Sequence, residues 1–322
     1  MCTAIRLSGD RHLFGRTLDI ECSYGESVAV LPVGHRHSFL HEGVVEGKHA
    51  VIGTAHTRMG VPLFYDGMNG AGVAIAALNF PCRAVYFPAR SDRRNLAAFE
   101  VIPWVLSQCE CVADAVDMLQ GVNITDESFD RSLHVTPLHW MISDSSCSVV
   151  VEPLGTGLSV KDNLLGVMTN SPELEHHVCR AAELMRLSPK PPENALAPEV
   201  ELEEFSRGLG AYGLPGDFSS TSRFLRALYA KNHTRVGVCD EIERFFRVMD
   251  TVSVPLGATL TRSGEAVYTV YTSCMDTDNG VYYFNTYKNR RIRAVRLADA
   301  ISDVAQIATY SMERDTDIDY SI

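Results

Sequence analysis

Basic residues are scarce in this chain. Its 29 Lys and Arg stand against 40 Asp and Glu among 322 residues, a formal net charge of −11. That balance argues against nucleic acid as a partner, and it obliges any anionic substrate to find local arginines. Apolar runs of transmembrane length are missing, so no membrane partner is expected. A secretory signal is missing too. The stretch from Cys2 to Asp10 alternates and leads at once into charged residues, which implies a cytoplasmic protein. The nine cysteines are odd in number and scattered, with Cys109 and Cys111 the closest pair. Neither a CxxC nor a Cys/His metal spacing occurs, so free thiols are expected, with no zinc or other metal. In a cytoplasmic protein the triplets Asn123-Ile124-Thr125 and Asn232-His233-Thr234 carry no glycosylation meaning. The remaining composition, 46% hydrophobic and 21% charged, is that of an ordinary soluble globular protein with a large core.

What is present starts at the second residue. Met1-Cys2-Thr3-Ala4 places a residue small enough for initiator-Met removal behind the start. A chain beginning at Cys2 carries a thiol and a free α-amine on one residue. The first is a strong nucleophile once deprotonated, and the second has a pKa near ~7.7–8.0 and serves as a base at neutral pH. Nucleophile and base on one residue is the logic of N-terminal-nucleophile hydrolysis.

The pattern around it is layered. Cys2 to Leu7 alternates, Gly9-Asp10 turns, and His12 to Ile20 returns, which reads as a hairpin. Strands are expected at Ser27–Val33, Ala50–Ala55, Leu63–Asp66 and Gly72–Asn79, with a turn at Gly67-Met68-Asn69-Gly70. Further strands fall at His139–Ser143, Ser148–Glu152, Gly157–Val160, Leu165–Thr169, Val267–Cys274, Gly280–Thr286 and Ile292–Leu297. Helices are expected at Leu96–Ser107, Val112–Leu119 and Glu173–Leu187, from about Ser219 onward, and at Asp240–Thr251; Ser188–Pro198, with its four prolines, is a loop. Strands in blocks and helices in separate groups are not the alternation of a parallel sheet. Two antiparallel sheets stacked face to face under outer helices fit, and strands of that core lie on both sides of the proline-rich loop, so residues 1–322 read as a single domain.

Several residues could carry chemistry. Arg16 and Asp19 lie on the strand that pairs with Cys2, where an arginine favours thiolate and a carboxylate can hold an amine. In a regular strand they face opposite sides, so both reach Cys2 only through a bend or bulge, which Gly15 permits, or if Asp19 lies past the strand end. Asn79, at the end of an apolar strand before Phe80-Pro81, is either an Asx-turn cap or an oxyanion donor. Asn170, before Ser171-Pro172, repeats the design. Gly213-Leu214-Pro215-Gly216-Asp217 fixes a turn, Ser219 or Ser220 caps a helix, and Arg223 follows in its first turn. A cation there implies a nearby anion: Asp217, a substrate or a catalytic group.

These stretches together resemble the choloylglycine hydrolase family, cysteine N-terminal-nucleophile amidases that include bile salt hydrolases and penicillin V acylases. The matching residues are Met1-Cys2-Thr3-Ala4, Phe14-Gly15-Arg16-Thr17-Leu18-Asp19, Asp66-Gly67-Met68-Asn69, Leu78-Asn79-Phe80-Pro81, Leu138-His139-Trp140, Met168-Thr169-Asn170-Ser171-Pro172, Gly213 through Phe224, and Tyr271-Thr272-Ser273-Cys274. They keep the family's order to about Ile292, and the last thirty residues match weakly. The resemblance implies an α+β, four-layer αββα fold. It makes Cys2 the nucleophile, Arg16 and Asp19 its flanking pair by way of a bend, Asn79 and Asn170 the oxyanion hole, and Arg223 the arginine near the thiol. It implies no cofactor and often a homotetramer. Gly70 stands where members often carry Glu. Asn79, where penicillin V acylases often carry Tyr, and Leu138-His139-Trp140 favour conjugated bile salts over penicillin V. Penicillin V or acyl-homoserine-lactone acylase activity is the rival on the same scaffold; a non-catalytic small-molecule binder is the rival of another class.

A steroid needs an apolar pocket. On position alone, its walls are the loops after Ile20, around Arg58–Phe64 and around Phe129–Pro137, where Met59, Leu63, Phe64, Phe129 and Leu133 are either pocket or core. The segment Phe205-Ser206-Arg207-Gly208-Leu209-Gly210 precedes the Gly213–Asp217 turn and is expected to border the cleft. There Arg207 either meets a taurine sulfonate or pairs with Glu203 or Glu204.

Overall fold

The computed structural model describes residues 1–302 and 306–321. Its centre is two antiparallel sheets. The first runs Val167–Met168, β1 (Cys2–Ser8), β2 (His12–Ile20), Ala266–Asp276, Val281–Thr286 and Arg293–Arg296, with Thr259–Leu260 beside Ala266–Asp276. The second runs Gly157–Asp162, Ser148–Leu154, Leu138–Ser143, Ala74–Asn79, Asp66–Asn69, Val51–Arg58, Ser27–Leu31 and Ala308–Ser311, with Val61–Phe64 beside Val51–Arg58.

Helices cover both outer faces. Helices α1 (Val101–Gln108) and α2 (Val112–Leu119) pack on the second sheet, whereas α4 (Ser220–His233) and α5 (Glu241–Asp250) pack on the first, with α3 (Leu174–Glu183) against α4. The four-layer expectation therefore holds. Helix α5 shows why: Asp240 caps it by accepting the Glu243 N–H at 2.7 Å, and Ile242, Phe245, Phe246 and Met249 form one buried stripe. Strands covered on both faces lose the polar alternation of a half-exposed sheet, and β2 is buried from His12 to Asp19.

Four local readings change. Residues 95–97 are a short strand, paired in parallel with Asn123–Thr125, and α1 begins only at Val101. The reason is tertiary: the buried Glu100 carboxylate accepts from Ala97 N at 2.9 Å and from Leu40 N at 2.7 Å, which fixes the helix start. Residues 66–69 are a strand instead of a turn, because Asn69 organises the bend after it. Its Oδ1 accepts from Ala71 and Val73, and its Nδ2 donates to the Leu106 and Cys109 carbonyls at the end of α1. The helix expected to reach Leu187 stops at Glu183. The strands Arg36–Phe39, Gly43–Glu46 and Ala308–Ser311 were not anticipated.

Buried histidines give this fold an acid sensitivity. His12 bridges the sheets, its ring nitrogens pairing with Thr277 Oγ1 at 2.7 Å and Ser143 Oγ at 2.9 Å. Burial, aided by Arg6, lowers its pKa to about 4. The unfolded chain binds this proton below ~6.5 and the folded chain only near 4, so stability falls as pH drops through that window, by about 3 kcal/mol at full extent. His37 and His177, also lowered to about 4 by burial, act with the same sign. Urea unfolding at stepped pH is expected to show a shallower loss from pH ~6.5 to ~4 in His12→Gln than in wild type. Parallel curves would remove His12 from the acid response.

Candidate active site

The site is built where strand ends from both sheets meet the start of α4. In the register of β1 and β2, Cys2 faces Leu18 and Ala4 faces Arg16, which puts Cys2 and Arg16 on the same face of the first sheet. That face looks toward the second sheet. Arg16 Nη2 donates to Cys2 Sγ, Nη1 to the carbonyls of Ala77 at 2.7 Å and Tyr65 at 3.4 Å, and Nε to Thr17 O at 3.0 Å. A guanidinium only 1% exposed is tolerable because its donors are so completely used. Burial opposes its charge, but Cys2, Tyr271, Asp66 and Asp19 together raise its pKa further above the ordinary arginine range.

Asp19 is on the other face. The expected bend does not occur: β2 runs unbroken from His12 to Ile20, and its register with β1 has no shift. Gly15 has a different role, because a Cβ there would lie 2.1 Å from the Ser273 carbonyl, so glycine admits the crossing main chain. The register shift that does occur lies in the neighbouring strand, between Thr269 and Tyr271. Asp19 accepts from Thr17 Oγ1 at 3.1 Å and Thr269 Oγ1 at 2.7 Å, and its main chain is paired to Met1 through Asp19 N–H to Met1 O at 2.9 Å. The Met1 ammonium donates to Asp19 O.

Arg223 reaches the site from that same outer face. Its Nη1 donates to Cys2 O at 2.5 Å and Thr3 Oγ1 at 2.8 Å, its Nη2 to Asn170 Oδ1 at 2.7 Å, and its Nε to Phe218 O at 3.0 Å. The Asp217 alternative is not taken. Asp217 instead binds Ser219 N at 2.9 Å and Ser222 Oγ at 2.6 Å at the start of α4, and these bonds lower its pKa to about 2. Asp19 and Cys2 offset part of the burial that lowers the Arg223 pKa.

Asn170 connects these parts. Its Oδ1 accepts the Cys2 N–H at 2.8 Å and its Nδ2 donates to Asn79 O at 2.7 Å. Its carbonyl receives Ser220 Oγ at 2.8 Å and pairs with His177 Nε2 at 3.1 Å. Among the described residues the Asn79 side chain is uncommitted; Oδ1 is buried without a partner. Behind Asn79, Phe80 stacks on His139 with ring centroids 4.2 Å apart, and burial lowers the His139 pKa. Glu152 ties this wall to the chain after Asn170 by accepting from Leu174 N at 2.9 Å and pairing with Lys161 at 3.1 Å. The importance of Glu152, and of the Thr3, Thr17 and Thr269 hydroxyls, had no signal in the sequence.

The expected pocket residues separate. Arg58 pairs with Asp130 and Ser132, joining the Arg58–Val61 hairpin tip to the 126–137 loop. That loop leads straight to Asn79, since Phe80 N donates to Pro137 O at 2.7 Å and Leu138 faces Asn79. Met59 is 75% exposed at the hairpin tip; Leu63, Phe129 and Leu133 are half-buried, with Phe129 edge-on to Phe99. Phe64 takes the core alternative, buried with the α1 and α2 residues on the far side of the second sheet. Arg207 is exposed, and among the described residues it pairs with neither Glu203 nor Glu204. No helix among the described residues is long and apolar enough to cross a membrane.

Residues 2–310 match the family model for linear amide C–N hydrolases, choloylglycine hydrolase family. The chain belongs to the choloylglycine hydrolase family. It is 35% identical over 314 residues to a bile salt hydrolase/transferase of Lactiplantibacillus plantarum, covering 97% of each chain. A crystal structure of a mutant conjugated bile acid hydrolase from Clostridium perfringens superposes with a TM-score of 0.92 at 32% identity, covering 99% of each chain. Penicillin V acylase from Agrobacterium tumefaciens shares the fold, with a TM-score of 0.75 at 20% identity over 96% of this chain and 90% of that one. This choloylglycine hydrolase family member is thus an amide hydrolase with the N-terminal-nucleophile fold, and Cys2 lies where its strand ends converge.

Proposed function

We propose that the protein hydrolyses the amide bond of glycine- or taurine-conjugated bile salts, with Cys2 as nucleophile and its α-amine, freed by loss of Met1, as base. The observation that carries this reading is the convergence on one residue: Arg16 at Sγ, Asn170 Oδ1 at N, and Arg223 at the carbonyl. The names of the relatives support the substrate class.

The thiol proton passes to the amine as Sγ attacks the amide carbon. A C–S bond forms and the carbonyl electron pair moves onto oxygen. Asn79, uncommitted and beside Asn170, meets that oxyanion with its amide; Asn170 holds the amine and supplies its second amide N–H. Collapse breaks the C–N bond, and the departing glycine or taurine takes the proton from the ammonium. Water, giving a proton to the amine, then attacks the thioester carbon; the C–S bond breaks, the ammonium returns that proton to sulfur, and the free bile acid leaves. The half-buried Leu63, Phe129 and Leu133 and the exposed Met59 wrap the steroid, held together by the Arg58–Asp130 pair.

Glycocholate, taurocholate and penicillin V assayed side by side under reducing conditions test the reading. Higher kcat/KM on the bile salts is expected. Preference for penicillin V, or no bile-salt turnover by protein starting at Cys2, would overturn it. Asn79→Ala is expected to lower kcat by ~10²-fold or more with little change in KM, because its bond strengthens only as charge develops. A rise in KM alone would make Asn79 a ground-state contact.

Arg207, exposed and without an ion-pair partner among the described residues, is proposed to meet the taurine sulfonate, an anion with three acceptor oxygens. Taurocholate is then favoured over glycocholate in kcat/KM, and Arg207→Gly narrows or reverses that ratio. An unchanged ratio would take this loop out of the specificity account.

A further inference from the structure

Two of the motifs quoted for the family, Asp66-Gly67-Met68-Asn69 and Tyr271-Thr272-Ser273-Cys274, have no part in the reaction just described. In the fold they meet. Asp66 is fully buried on the second sheet. Its Oδ2 accepts from Tyr271 OH at 2.7 Å and Ser273 Oγ at 3.2 Å, and its Oδ1 accepts from Tyr282 OH. Tyr282 OH is itself paired with Thr54 Oγ1 at 2.6 Å. Burial raises its pKa overall, while Arg16 and the hydroxyls aimed at the carboxylate favour its charged form. The positive charge facing it is Arg16.

The link between the two is structural as well as electrostatic. Asp66 makes no direct bond to the guanidinium. Instead Arg16 N–H donates to Ser273 Oγ at 3.2 Å, and that hydroxyl donates to Asp66. Arg16 Nη1 rests on the carbonyls of Tyr65, adjacent in sequence, and Ala77, next to the ladder partner of Asp66. Within the second sheet Gly53 admits the Asp66 main chain, since a Cβ there would sit 2.1 Å from Asp66 O. On the opposite face of β2, the buried Asp19 favours the charge of the buried Arg223, as it also does that of Arg16.

We propose that Asp66 is the counter-charge of Arg16: held by Tyr271, Ser273 and Tyr282, it sets how much of the guanidinium's positive charge the Cys2 sulfur experiences, and so acts as a positioning residue that touches no substrate. The titratable and charged groups around it are Arg16 on β2, Cys2 on β1, Tyr271 and Tyr282 on the two following strands of the first sheet, and Tyr65 beside it; Asp19 lies beyond β2. The inference rests on Cys2 being the reactive thiol but not on the identity of the substrate.

The test reads the thiol directly. Full-length protein lacking Met1 is treated with iodoacetamide at pH from about 5 to 10, and the rate of Cys2 labelling is followed by peptide mass. Removing the carboxylate charge in Asp66→Asn is expected to move the midpoint to lower pH, so that labelling below the wild-type midpoint speeds up about tenfold. Asp66→Glu, which restores the charge, is expected to return the midpoint toward wild type. Tyr282→Phe, which weakens the hold on that charge, is expected to give a smaller shift in the same direction and serves if Asp66→Asn does not fold. A folded Asp66→Asn or Tyr282→Phe with the wild-type midpoint, or one moved upward, overturns the proposal. Wild-type Cys2 labelling no faster than the exposed Cys22 and Cys82 would instead sink the nucleophile reading itself.

Discussion

Cys2→Ser is expected to lose turnover by on the order of 10⁴-fold or more while keeping its fold. The hydroxyl is nearly the same shape in a position only 3% exposed, and it still offers Arg16 an acceptor. What it lacks is acidity: an amine with a pKa near ~8 cannot draw a proton from an alcohol as it can from a thiol. The other eight cysteines are expected to be dispensable for chemistry. Burial raises the Cys109 pKa to about 12 and holds Cys274 well above its usual range, which makes both inert, and Cys22, Cys82, Cys147 and Cys179 are exposed and scattered. Urea unfolding alongside kinetics checks both halves. Stoichiometric alkylation of Cys2 with activity intact would contradict the mechanism.

Protein that retains Met1 is expected to be inactive, at least ~10³-fold below protein that begins at Cys2. With Met1 attached, the Cys2 nitrogen is a peptide N–H donating to Asn170 Oδ1, and a peptide nitrogen is no base. Met1 is also paired across to Asp19 through both its N and its O, which extends the β1–β2 ladder by one residue over the site. Removing it leaves an amine already placed against Asn170 Oδ1, with Arg223 on the same oxygen. Separating the two forms by mass and assaying each decides the point. Full activity in a homogeneous Met1-containing preparation would refute the amine's role.

The N-terminal hairpin was legible because alternation and a Gly-Asp turn are local signals, and the register places Cys2 and Arg16 as that pairing requires. The layered architecture was legible from blocks of strands and separate helices. The opposite placement of Arg16 and Asp19 was also contained in strand periodicity. The bend that the resemblance implies does not occur: Arg16 bonds Cys2 Sγ from one face of β2, whereas Asp19, on the other face, pairs its main chain with Met1. The start of α1 was hidden because a carboxylate reaching Leu40 sets it. The strand Ala308–Ser311 was hidden because its partner is Ser27–Leu31, nearly the whole chain away. Asp66 was visible as part of a motif, but its meaning depends on Tyr271, Ser273 and Tyr282, which only the fold brings to it.

The most direct test of the central claim is to catch the acyl-enzyme. Protein beginning at Cys2 is mixed with glycocholate, quenched in acid within a turnover and read by intact mass, with digestion to place any adduct. The account predicts a cholyl group on Cys2, sensitive to hydroxylamine as a thioester is. Glycine release by protein whose Cys2 is blocked, or an adduct on any other residue, would contradict it.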